Sequence, residues 1–196
     1  MLNPFRKGAD PHPLIVAMTG VKLGERFAQI GCAHGGRLAA VAAKVGLSGR
    51  AVAIVPDEES AARARNGAAD AGVLVDVERA APTRLPVEDE GFDLAVIDDT
   101  AGFLRRMRAE DRRDTVREVL RILRPGGRVM VIASNPPSGI AAWLARRPDD
   151  EPLTAESDLQ NGGFKSVRML AERHGLIFVE GIKPRPSAAA TVPALS

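Results

Sequence analysis

One stretch, Phe27-Ala28-Gln29-Ile30-Gly31-Cys32-Ala33-His34-Gly35-Gly36, limits what this chain can fold into more than any other. It reads as a strand that runs into a glycine-rich turn and then a helix over Arg37 to Val45. Glycine tolerates positive φ and has no Cβ, so backbone N–H groups at such a turn can approach a ligand closely. A strand that passes at once into a helix is the first half of a parallel crossover. The turn therefore points to a nucleotide-like cofactor.

The alternation continues along the chain. Leu14 to Thr19 reads as a short helix that stops at Gly20, and Arg26 to Ile30 as the first strand. A second strand is expected over Ala51 to Val55. Asp57 is placed to cap a helix over Glu58 to Ala71, which Gly72 ends. Further strands are expected over Leu74 to Glu78, Asp93 to Ile97 and Arg128 to Ala133. Thr100 to Met107 reads as a short helix. Val116, Val119, Leu120 and Leu123 recur at helical spacing within Arg112 to Leu123, which Pro125-Gly126-Gly127 is expected to end. Gly139 to Arg146 reads as a helix. Phe164 to Leu170 and Leu176 to Gly181 read as closing strands joined through His174-Gly175. The sum is an α/β fold with a mostly parallel sheet covered on both faces.

Composition narrows the classes. A chain of 196 residues with 45% hydrophobic and 27% charged residues is an ordinary globular domain with a full core. One domain is expected over residues 1–183, followed by a Pro/Ala/Ser-rich tail over 184–196 that is expected to be disordered. A net charge of +2 makes no global case for nucleic acid. Cys32 is the only cysteine, so an internal disulfide and a cysteine-built zinc site are excluded, and no metal is expected. Leu14 to Met18 is too short to span a bilayer, and no signal peptide or lipidation motif is read at the N-terminus. A cytoplasmic location and no membrane partner are the expectation.

Four stretches in order resemble the class I S-adenosylmethionine-dependent methyltransferases. Gly24 to Gly35 is similar to their first motif. Leu85-Pro86 with Gly91-Phe92-Asp93-Leu94-Ala95-Val96 resembles the approach to the fourth strand. Arg117 to Arg128, through Leu123-Arg124-Pro125-Gly126-Gly127, resembles the segment before the fifth strand. Gly163-Phe164 and Gly175 to Gly181 resemble the terminal strand pair. The resemblance covers roughly Leu14 to Lys183 and implies an α/β fold, Rossmann-like and doubly wound, with a mostly parallel seven-stranded sheet and an antiparallel C-terminal strand. It implies S-adenosylmethionine as cofactor, bound at the carboxyl ends of the first four strands by Gln29, Gly31, Cys32, Ala33, Gly35, Val55, Asp57, Ala81 and Asp98.

Three acids usual in that family are replaced. The acid two residues before the first glycine of the turn is Gln29. The acid that ends the second strand and takes the ribose hydroxyls falls on Val55, with Asp57 and Glu58 two and three residues on. The acid near the adenine amino group falls on Ala81. Ala33 in place of the middle glycine is a milder change. Each lost charge-assisted contact is worth about 1.5–3 kcal/mol. Two or three of them weaken binding by roughly 100-fold or more.

Other residues carry chemistry of their own. Asp98 and Asp99 follow the fourth strand, where the family places groups near the methyl acceptor, and aspartates there either act as base or cap the local backbone. His34 is a candidate general base, with a loop-shaping role as the plainer reading. Cys32 reads as a small packing residue rather than a nucleophile. Asn135-Pro136-Pro137 reads as a rigid loop, and Trp143 as a helix residue packed on the sheet or lining a lid. The arginines from Arg105 to Arg128 read as a solvated face with paired acids such as Asp114 and Glu118, the alternative being an anionic partner. No aromatics interleave them, so nucleic acid is not an expected partner.

Three functions follow. The first is methyl transfer from S-adenosylmethionine to a small molecule. The second keeps the fold as a catalytically degenerate binding or regulatory partner. The third is a nicotinamide-dependent oxidoreductase, which Gly31-x-Ala33-x-Gly35-Gly36 with Asp57 supports faintly.

Overall fold

The computed structural model describes residues 12–134 and 155–186. The elements are α1 (His12–Thr19), β1 (Arg26–Ile30), α2 (Gly35–Val45), β2 (Arg50–Val55), α3 (Glu58–Ala71), β3 (Asp76–Arg79), β4 (Phe92–Asp99), α4 (Ala109–Ile122), β5 (Leu123–Ser134), α5 (Ala155–Asn161), β6 (Lys165–Arg173) and β7 (Leu176–Ile182). They form one seven-stranded sheet in the order β3-β2-β1-β4-β5-β7-β6. Strands β1 to β5 are parallel, and β7 runs antiparallel between β5 and β6.

The β1, β2 and β4 sequences are almost continuously apolar because both faces of the sheet are covered. Alternate residues serve two cores. Phe27, Ala53, Leu94, Val96 and Met130 pack with Ile15, Leu38, Val41 and Ala61 of α1, α2 and α3. Ala28, Val52, Ala95, Ile97 and Val131 pack with Val116, Val119 and Ile122 of α4 and Leu159 of α5. The strand order reverses between β1 and β4, so their carboxyl ends splay around the crevice in which open α/β sheets bind ligands. Registers Gln29↔Val96 and Ile30↔Ile97 place Asp98 beside Gly31 at that point.

Local signals worked where the backbone satisfied itself. Asp57 caps α3 by accepting the Ser60 N–H at 2.8 Å, and Gly72 ends the helix in the left-handed region. His174 and Gly175, both at positive φ, close the β6–β7 hairpin. Several elements differ from expectation. Residues 100–107 are turns rather than a helix, because Gly102 at φ +71° breaks the run and the Asp98 and Asp99 carboxylates take the Thr100 and Leu104 N–H groups. β3 begins two residues later than expected, at Asp76, and Leu74 is exposed. α4 ends at Ile122, and β5 starts at once, so Pro125-Gly126-Gly127 lies within β5. Gly126 N–H donates to the Lys183 carbonyl, and Lys183 N–H to Gly127. α5 was not anticipated from the sequence. The expected helix at Gly139 to Arg146, Asn135-Pro136-Pro137 and Trp143 lie outside the described residues.

The arginine run is mainly internal wiring. Arg112 is buried and pairs with Asp158 of α5 at 3.0 Å. Arg121 donates to Glu118 and to the Leu85 and Val87 carbonyls, and Glu118 takes the Leu85 N–H, which pins the Leu85-Pro86 loop to α4. Arg124 pairs with Asp93, and Arg128 with Glu25. The helix pairs fall at i,i+3, Asp114 with Arg117 and Glu118 with Arg121. Arg105, Arg106, Arg108 and Arg113 remain exposed.

Candidate cofactor cleft

Gly31, at φ +78°, turns the chain out of β1, and its N–H donates to the Ile54 carbonyl of β2. A Cβ added here would lie 3.3 Å from the Asp98 carbonyl oxygen and 3.6 Å from the Phe103 ring. Gly35 begins α2 in backbone contact with α3: an added Cβ would collide with the Arg63 carbonyl, and one on Gly67 would collide with Gly35. Two close approaches therefore demand glycine, one toward β4 and one toward α3.

Buried polar side chains hold the turn from below. Gln29, 3% exposed, donates from Nε2 to the Gly31 carbonyl at 3.0 Å. Asp98, 5% exposed, accepts the Ala33 N–H at 2.8 Å through Oδ2. Its Oδ1 accepts both the Thr100 N–H and the Thr100 hydroxyl, at 3.2 and 2.6 Å. Arg63 reaches from α3 and donates from Nε to the Cys32 carbonyl at 3.0 Å. Phe103, whose ring packs on Gly31, and Arg63 were missed from the sequence. Both act across the tertiary fold, and no local pattern marks them.

The remaining candidates divide. Burial, and then the nearby Asp98 charge, push the Cys32 thiol up to about 12, so it is an inert packing group. His34 is the residue before α2, yet its side chain makes no cap. Its pKa is held below the usual histidine range by partial burial and by the cations Arg37 and Arg63. Asp99 points to the other face of β4, accepts the Leu104 N–H at 2.7 Å, and is held above the usual carboxylate range by burial. Val55 is fully buried, and Ala81 is exposed. Both neighbouring acids already have partners. Asp57 Oδ1 caps its own helix, which lowers its pKa, and Glu58 pairs with Arg65 and Arg79. Arg37 Nη1 is buried without a hydrogen-bond partner beside the turn.

These features fit one end of S-adenosylmethionine better than the other. The turn has the close backbone approach that the cofactor needs, and the orphaned Arg37 nitrogen suits a carboxylate. The ends of β2 and β3 lack the acids for a nucleoside. Among the described residues no helix is long and apolar enough to cross a membrane.

A profile described as a methyltransferase domain matches residues 28–131, the segment from β1 to β5. The ubiquinone/menaquinone biosynthesis C-methyltransferase UbiE of Pseudomonas putida is 30% identical over 125 residues, 63% of this chain and 47% of that protein. The chain thus spans about half the length of that relative. The enzyme of the same name from strain GB-1 is 29% identical across 86% of this chain and 77% of its own. A SAM dependent methyltransferase from Aquifex aeolicus has a TM-score of 0.69 at 19% identity, covering 89% of each chain. The [4+2]-cyclase SpnF has a TM-score of 0.67 at 19% identity, covering 89% of this chain and 80% of its own. The antiparallel β7 between β5 and β6 separates this sheet from the six-stranded dinucleotide-binding order, which sets the nicotinamide reading aside. The chain belongs to the methyltransferase domain family, a class I S-adenosylmethionine-dependent methyltransferase fold.

Proposed function

We propose that this protein transfers a methyl group from S-adenosylmethionine to a small-molecule acceptor. The observation that carries the reading is the Gly31–Gly35 turn at the β1/β4 reversal, held in place by two buried polar side chains. When bound, S-adenosylmethionine supplies a sulfonium-activated methyl group that needs no covalent help from the protein. The protein's part is to orient and to exclude water. The turn from Gly31 to Gly35 would hold the amino-acid end, with Arg37 opposite its carboxylate. Phe103 packs on the turn and helps to keep water from it. Asp98 is engaged with the turn, so it is not the base; Asp99 holds the loop after β4 through Leu104. The names of the Pseudomonas relatives make a quinone-type ring carbon the first acceptor to try.

Calorimetry of the full chain with S-adenosylhomocysteine tests this reading. Binding is expected, weakened roughly 100-fold against a cleft that keeps its acids. A thermal shift on the same sample should rise with ligand by mass action. No heat and no shift at millimolar ligand would overturn it.

The second reading, a binding or regulatory protein on this fold, draws on a specific observation: Asp57 and Glu58, the acids nearest the ribose position, are already engaged. A fold does not dictate an activity. Silence toward both S-adenosylmethionine and S-adenosylhomocysteine would favour this second reading.

A further inference from the structure

The loop after β4 carries two guanidinium groups and an aromatic ring on one corner. It leaves β4 at the crevice where the strand order reverses, the place where open α/β sheets take their ligands. Hydrogen bonds fasten it there. Asp98 takes the Thr100 N–H and hydroxyl, the Ser134 hydroxyl donates to the Thr100 carbonyl at 2.8 Å, and Asp99 takes the Leu104 N–H. The loop is thus tied down on both sides of Phe103, whose partly exposed ring lies against Gly31. Arg105 and Arg106 fold back on the same corner. The Arg105 Nη2 and Nε lie 3.5 and 3.6 Å from where a Cβ on Gly102 would sit. Arg106 Nη1 donates to the Ala101 carbonyl at 2.5 Å. Both residues are exposed. Ion pairs engage Arg112, Arg117, Arg121, Arg124 and Arg128, but among the described residues none engages Arg105 or Arg106. The Arg105 charge acts on Asp99, whose carboxyl group already accepts the Leu104 N–H.

We infer that this corner is the acceptor subsite, and that it selects a flat acceptor bearing one anionic group, carboxylate or phosphate, which Arg105 and Arg106 hold beside Phe103. A guanidinium presents a planar fork of N–H donors that matches either anion. Its contacts with the loop backbone leave less ordering to be done when the anion arrives. Phe103 offers a ring against which a flat body stacks. A polyanion needs a longer stripe of unengaged cations, and most of the arginines that follow in α4 and β5 are tied to carboxylates. The inference rests on the methyl-transfer reading above for calling the ligand an acceptor; the preference for an anion does not depend on it.

The test compares benzoate, phenyl phosphate and neutral benzamide on the full chain, by calorimetry or ligand-observed NMR, with and without S-adenosylhomocysteine. One of the two anions should bind about tenfold or more tightly than benzamide, the size of one charge-assisted contact, and the tighter of them names the anionic group. The double variant R105A/R106A should erase that preference and bind benzamide as the parent does. R117A, which removes an exposed arginine farther along α4, should keep it. Damage to the fold lowers all three ligands together, so the ratio of anion to amide reports the corner alone. In the parent, added salt should weaken the preference, a measurement that needs no variant. Equal affinity for all three compounds, no binding of any of them, or a preference that survives in R105A/R106A overturns the inference. A parent protein that ignores S-adenosylhomocysteine, yet shows an anion preference that R105A/R106A erases, would sink the methyl-transfer reading and leave the anion-binding corner standing.

Discussion

The carboxyl ends of β4 and β2 face the same cleft and are built in opposite ways. At β4 two aspartates are buried at 5% and 6% exposure, and each closes a turn by accepting backbone N–H groups. At β2 the last residue is Val55, fully inside the apolar core, and the next acids cap a helix or pair with surface arginines. Buried charges persist only where hydrogen bonds satisfy them. The β4 end has those bonds for buried acids, whereas the acids after β2 stay exposed, where Asp57 caps α3 and Glu58 pairs with arginines. One half of the cleft is thus built on satisfied buried acids, and the other on apolar side chains and surface ion pairs.

The largest test of that contrast is mechanical. Gly35 and Gly67 let α2 and α3 meet backbone to backbone, which buttresses the turn from α3. Gly67→Ala should destabilise the protein by about 2–3 kcal/mol through overpacking, read from the urea midpoint. A parent-like midpoint would mean the turn does not depend on that contact.

A gain of function sharpens the other half. Ala81 is exposed at the position where the resemblance leads one to expect an acid. Ala81→Asp should tighten S-adenosylhomocysteine by about tenfold in calorimetry, at ~1.4 kcal/mol per factor of ten. Unchanged affinity would show that the nucleoside does not lie against the end of β3.

The smallest effect concerns Asp99. Burial holds its carboxyl above the usual range, so the unfolded chain releases this proton at lower pH than the folded one. Its contribution is present at acid pH and is lost as pH rises through the raised folded value. Asp99→Asn keeps an acceptor for Leu104 and does not titrate. Urea midpoints taken from about pH 3 to about pH 7 should show the variant gaining on the parent as pH rises. Parallel curves would mean that Asp99 is not desolvated.

Much of the architecture was legible from residues 26 to 72. Strand β1, helices α2 and α3, the Asp57 cap and the Gly72 stop all follow from short-range rules: apolar runs, capping chemistry and glycine at positive φ. Residues 100 to 107 misled because their periodicity suited a helix, while the side chains of Asp98 and Asp99 offered the backbone better partners. Helix α5 escaped because seven residues are too few to show a period, and it is fastened by the distant Arg112. The site divides along the same line. The glycines and the missing acids stand in the one-dimensional order of the chain. That Asp98 holds the turn through the Ala33 N–H, that Phe103 covers Gly31, and that Asp57 and Glu58 have hydrogen-bond and ion-pair partners of their own came only with the packed sheet. Each depends on which strands lie side by side and in what register, and hydrogen bonds between residues 65 positions apart leave no local trace.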